Sequence, residues 1–203
     1  MPDILSVIEL ADKLGVIQAV KGKLMRQPDP AADKLVTVLE ELSKIYLAIE
    51  TEMVRYLGLS FDPAQSLAEE RSLLLTLEGG QVEARINEAR GHCQKIENIY
   101  GRYLDPWFQR VLSPTESDLL RELFNQLNSA DDGMVCSLNT VGQWLTAAAS
   151  ETLNLVDANK YDEANAKIKA ARREMLPSRQ ATTKALSDLR KLQAEFIDMS
   201  EAL

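Results

Sequence analysis

The sequence predicts an all-α protein, an elongated antiparallel bundle of four to five long helices. Three observations carry that expectation. Apolar residues recur every three or four positions over long stretches, which is the spacing of one helix face. No segment alternates with period two over a useful length, so no strand is expected. Aromatic residues make up only 5% of the chain against 45% hydrophobic residues in all, and the abundance of Leu, Ala, Glu, Lys and Gln favours helix over strand.

The helices are expected at about 3–25, 30–58, 63–112, 114–158 and 161–203, packed as one helical-bundle domain over residues 1–203. Asp3 caps the first, whose apolar set includes Ile4, Val7, Ile8, Leu14, Ile17 and Leu24. Gly15 and Gly22 lie seven apart on one face, where they weaken the helix or admit a close backbone. Asp29 as cap and Pro30 at the first helical position open the second helix. Its stripe of Leu35, Val38, Leu42, Ile45, Ile49 and Tyr56 is widened by Leu39, Tyr46 and Met53. Asp62 and Gln65 suggest a capping box for the third helix, which the Gly79-Gly80 pair breaks. Beyond it Val82, Ile86, Ala89, Cys93, Ile96 and Tyr100 keep an unbroken register. Ser113-Pro114-Thr115-Glu116 is the strongest local signal, with Ser as cap, Pro at N1 and Glu at N3. From there Leu120 to Leu155 read as one helix, bent at most by Asp131-Asp132-Gly133. A short turn at 159–162 precedes the last helix, which Pro177 should kink or divide. Residues 81–203 resemble the later helices of bacterial four-helix-bundle ligand-binding sensor domains in helix lengths, in the turn near Tyr161 and in the placement of Pro177. That resemblance implies fold alone.

The net charge of −8 disfavours nucleic acid as a general ligand, since phosphate binding needs concentrated Lys and Arg. The charge is uneven: residues 160–203 carry 9 basic and 7 acidic side chains, so the last helix either packs beside acidic neighbours or presents a basic strip. Cys93 and Cys136 fall on apolar helical faces and read as buried free thiols, which points to a reducing compartment. No apolar run approaches a membrane span, and Asp3, Glu9 and Asp12 interrupt the pattern of a signal peptide, so a cytoplasmic protein is expected.

Catalytic chemistry is thinly supplied. There is one histidine, His92, whereas a carboxylate-bridged di-metal bundle needs Glu-x-x-His on two helices. His92 and Cys93 are adjacent and point differently, so no zinc site is expected. The sequence therefore implies no catalytic, metal or cofactor-binding residues and no cofactor. Asp131, Asp132 and Glu151 read as a solvated face, and Tyr100, Tyr103, Trp107 and Phe108, with Trp144, read as rings closing a bundle end. His92 reads as a structural histidine bonded between helices. Arg85 and His92, with six residues between them, also resemble the Arg-to-His spacing of all-helical HEPN ribonucleases, although Ile86 stands where that family usually has a polar residue. That resemblance implies action on an RNA backbone.

Three functional expectations follow. The leading one is a non-enzymatic interaction or regulatory module that binds a partner protein or itself, with Gly79-Gly80 and Pro177 as hinges. The second is a membrane-active bundle using residues 1–26, whose apolar first helix resembles in a general way the mobile helix of the HeLo and related cell-death families. The third is a HEPN-like ribonuclease using Arg85 and His92.

Overall fold

The computed structural model describes residues 5–26, 29–128 and 133–201, with side chains from Gly15 onward except at 49, 128 and 199–201. Asp3, Ile4, Asp131 and Asp132 lie outside the described residues, as do the side chains of Val7, Ile8 and Leu14. Eight α-helices cover most of what is described: α1 (Leu5–Leu24), α2 (Ala31–Gly58), α3 (Ala68–Thr76), α4 (Val82–Ile99), α5 (Asp105–Val111), α6 (Pro114–Asn128), α7 (Met134–Asp157) and α8 (Tyr161–Glu201). No strand occurs among the described residues. No described helix is long and apolar enough to cross a membrane.

Helices α2, α4, α7 and α8 form an antiparallel four-helix bundle, and the polar pairs across each seam give its direction. Along α2 and α8, Glu40 meets Gln193, Glu50 meets Arg179 and the Leu57 carbonyl meets Arg172. Along α2 and α4, Glu41 meets Lys95 and Glu52 meets Arg85. Along α4 and α7, Arg90 bonds Asn139 and Ile86 lies against Gly142. In each seam the number rises on one helix as it falls on the other. At 1.5 Å per residue, the 41 residues of α8 extend about 60 Å. Helices α1 and α6 thicken one end of the bundle: α1 lies on α8, α6 and α7, and Lys21 and Lys23 of α1 bond Glu195 and Glu116.

The apolar stripes converge on one contiguous core that runs from Ile17 to Phe196. Trp107, Tyr46, Tyr56, Phe108 and Phe196 are its largest fully buried side chains. Some polar groups inside it are paired and others, Trp107 Nε1 and Ser117 Oγ among them, have no partner among the described residues. The Tyr56 hydroxyl lies 3.0 Å from Thr152 Oγ1, and Thr152 donates to the Ala148 carbonyl at 2.7 Å. This ties α2 to α7 across the middle of the bundle at no cost in stranded polar atoms.

Local signals govern several boundaries. Asp29 Oδ1 accepts the Ala31 N–H at 2.9 Å, so Asp29 and Pro30 open α2 as expected. The Ser113–Glu116 box closes in both directions: Ser113 Oγ accepts the Glu116 N–H at 3.4 Å, and Glu116 Oε2 accepts the Ser113 N–H at 3.0 Å. Glu116 also bonds Lys23, and the Lys23 ammonium together with Ser113 holds its carboxyl at about 2.

Other boundaries differ from expectation. The third helix starts at Ala68 rather than near 63. Asp62 turns the chain instead of capping it, because its side chain accepts the Ala64 N–H and its carbonyl accepts the Gln65 N–H. Residues 114–158 are two helices, with the extended Gly133 backbone (ψ −172°) opening α7. Pro177 does not divide the last helix, which runs unbroken from Tyr161 to Glu201 with the exposed ring inside it. A proline removes one ladder bond there, and the packed faces on both sides hold the rest in place. Gly15 and Gly22 admit no close backbone, since a Cβ at either would meet open space.

The break at Gly79-Gly80 is a kink between α3 and α4 inside a π-turn over Leu77–Gln81. Gly80 has φ +98°, a conformation costly for any residue with a Cβ. Replacing both glycines with Ala would therefore strain the turn, which makes that substitution a poor test of a hinge.

At Gly142 an added Cβ would meet α4. It would lie 1.8 Å from Ile86 Cδ1 and 3.4 Å from Val82 Cγ1. Ala at a helix interior normally gains up to about 1 kcal/mol over Gly; here the end of the half-buried Ile86 side chain must swing aside, which offsets that gain. Gly142→Ala is expected to leave stability within about 1 kcal/mol of wild type in urea unfolding. Ile86→Val in the same chain, which removes Cδ1, should bring out the helix gain. Additive effects of the two substitutions would show that α4 and α7 are not this close.

Candidate functional site: the seam between α2 and α4

Two acidic residues of α2 interrupt its apolar pattern and turn toward α4. Glu41 is 1% exposed and Glu52 is 3% exposed, although each is a carboxylate on a helix whose other buried residues are apolar. Burying a charge is tolerated only where partners replace the lost water. Glu41 has three: Lys95 Nζ at 2.7 Å, Lys44 Nζ at 2.8 Å and His92 Nδ1 at 2.5 Å. Burial alone would raise its carboxyl; the hydrogen bonds from Lys44, Lys95 and His92 together outweigh it and hold the group at about 2. Glu41 is thus an acceptor, and His92 donates its Nδ1–H to it. Glu52 is held by Arg55 at 3.3 Å, by Gln81 at 3.4 Å and by Arg85 at 3.6 Å.

These pairs form the floor of a seam with an open trough on either side of the Glu41 cluster. One, of about 470 Å³, is bounded by Lys44, Leu47, Ala48 and Thr51 of α2 and by Arg85, Glu88 and His92 of α4. The other, of about 530 Å³, lies between Lys34 and Thr37 on one side and Gly91, Lys95, Asn98, Ile99, Arg102 and Tyr103 on the other. From Arg85 to Arg102 the two span about 26 Å of helix. Leu47 is 42% exposed and Tyr103 is 47% exposed, so each trough has an uncovered apolar surface. The Lys34 ammonium stands 5.5 Å from the centre of the Tyr103 ring, within range of a cation–π contact. The α4–α7 side also carries a furrow, but Arg90 to Asn139 and Ser150 to Glu78 bond across it.

The residues singled out from the sequence are placed as follows. Arg85 and His92 do share one trough, on one face of α4. Both are engaged by carboxylates: Arg85 bonds Glu88 at 2.8 Å besides its contact with Glu52, and His92 bonds Glu41. Tyr100, Trp107 and Phe108 pack together, and Phe124, which the sequence reading overlooked, stacks on Tyr100 at 4.4 Å. Tyr103 leaves this cluster for the seam, and Trp144 sits apart against Tyr56 at 5.9 Å. Glu151 bonds Lys167. Both cysteines are free; Cys93 is buried and its thiol is pushed up to about 12 by burial, while Cys136 is only partly buried. On the basic last helix Lys167 and Arg179 pair with acids of α7 and α2 and Arg172 bonds the Leu57 carbonyl, while Lys169, Arg173, Lys184, Arg190 and Lys191 are exposed, so each expected alternative holds for part of the helix. Among the described residues no three His, Cys, Asp or Glu side chains gather in a way that could hold a metal ion.

Glu41, Lys44, Lys95, Lys34 and Arg102 were not singled out from the sequence. The readable signal was Glu41 itself, an acid three residues after Val38 and four before Ile45 on an apolar stripe. Comparison with protein-family models, with curated proteins and with solved structures finds no match to this chain.

Proposed function

We propose that this protein is a non-enzymatic helical-bundle interaction module whose binding face is the α2–α4 seam. One observation carries the reading: two open troughs lie end to end along one helix pair, each with an uncovered apolar surface, over a floor where the buried Glu41 and Glu52 meet their half-exposed cations. Open, elongated troughs suit a segment of a partner protein, whereas small ligands are usually enclosed on most of their surface. Arg85 and His92 are already engaged by Glu88, Glu52 and Glu41 and are not free to hold a phosphodiester, so we favour a protein partner over RNA. The apolar residues Ile17, Val20 and Leu24 of α1 are spent in the core. A membrane role for residues 1–26 would require α1 to give up that burial, at roughly 1.5–3 kcal/mol for each large side chain.

The test compares the wild-type protein with Leu47→Asp as baits in extract of cells that naturally make the protein, with circular dichroism confirming equal helicity. Leu47 is exposed, so the substitution leaves the core untouched. The reading expects retained proteins that Leu47→Asp loses; identical retention by the two baits would remove the seam as the binding face. Sedimentation equilibrium on both proteins separates a second copy of the chain from a different partner.

A further inference from the structure

We infer that the segment received by the seam is an acidic amphipathic helix, with its carboxylates at the Tyr103 end and its apolar residues at the Leu47 end. This rests on the interaction reading above and adds the chemistry of the partner. The charge along the seam is not uniform. At the Leu47 end, Lys44 and Arg85 are offset by Glu41, Glu52 and Glu88. At the Tyr103 end the trough is lined by Lys34, Lys95 and Arg102 and by no carboxylate. Of these, Lys95 shares Glu41, while Lys34 and Arg102 are exposed and have no carboxylate partner among the described residues. An uncompensated cation pair on a chain of net charge −8 is a local reversal of the protein's own field.

Shape agrees with a helix. Gly91 lines the trough midway along α4, and a Cβ there would meet only open space, so the floor is lowered where a partner would lie closest. The length of about 26 Å accepts roughly 17 residues of helix, enough for apolar anchors at i, i+3, i+4 and i+7 followed by an acidic turn or two. Ile99 and the open part of Tyr103 cover the stems of long acidic side chains, whose carboxylates then reach Lys34 and Arg102. A nucleic acid strand would find the Leu47-end cations already paired with carboxylates along the same track, which disfavours it.

The experiment is a selection from a random 18-residue peptide library on the intact protein, followed by fluorescence anisotropy of the enriched peptides. The expected result is enrichment of sequences with carboxylates clustered at one end and apolar residues at helical spacing in the rest. Their affinity should fall about tenfold or more in the double variant Lys34→Glu with Arg102→Glu, and by a similar factor when salt is raised from low to near-physiological levels. Leu47→Asp should weaken the same peptides. Enriched peptides that are neutral or basic, yet lost on Leu47→Asp, would overturn the acidic partner and leave the seam standing. Peptides indifferent to both variants, or no enrichment, would overturn both. Since Lys34 and Arg102 are exposed, circular dichroism of the double variant should match the wild type and keep the comparison interpretable.

Discussion

Glu41→Gln is expected to lower the unfolding free energy by about 3 kcal/mol at neutral pH, and the deficit should vanish in acid. The size comes from the depressed carboxyl, which lies near 2 in the folded chain against an ordinary 4.5, at about 1.4 kcal/mol per unit. The sign follows from which state holds the proton. A carboxyl lowered by folding stabilises the folded state above its unfolded value, and that contribution drains away as pH falls from about 4.5 to about 2. Wild type and variant should therefore diverge above pH 4.5 and converge near pH 2, as read by urea midpoints at several pH values. Other depressed acids, Glu116 among them, act in both proteins and cancel in the difference. A deficit that stays constant down to pH 2 would mean that Glu41 contributes shape rather than charge.

The other large loss is expected at Trp107, which is wholly buried at the α5 end of the bundle with its ring 5.4 Å from that of Phe108. Trp107→Ala should cost about 3–5 kcal/mol, the range for emptying a site of this size. Trp107→Phe should cost much less than the volume change suggests. The indole N–H has no acceptor among the described residues, and removing a stranded buried donor recovers about 1–3 kcal/mol against the smaller cavity. Urea unfolding of both variants checks this. Equal losses for Ala and Phe would show that the indole nitrogen is satisfied in solution.

Periodicity made the helices legible, and capping chemistry made some of their starts legible. Asp29-Pro30 and Ser113 to Glu116 work as read because each signal is completed within four residues. Asp62-Pro63-Ala64-Gln65 carries the same kinds of residues and yields a turn. The deciding partner there is Asn165, which lies 104 residues away and binds both the N–H and the carbonyl of Phe61. Pro177 misled for the reverse reason: one missing backbone bond is outweighed by the packing of Met175, Ala185 and Leu186 on the core. At the seam, Arg85 and His92 were visible as a pair on one face, but their meaning depends on Glu41 and Glu52 from another helix. A single sequence shows that an acid interrupts an apolar stripe; only the fold shows which cations meet it.

The Asn165 clamp has a consequence for how the chain assembles. The segment between α2 and α3 has little regular structure of its own, and Arg172 adds bonds to the Leu57 and Leu59 carbonyls just before it. Its shape is thus borrowed from α8, which leaves the ribosome about a hundred residues later. During synthesis the Phe61 amide stays open to solvent until more than a hundred later residues exist. Its protection against deuterium therefore marks the moment when the bundle closes around α8.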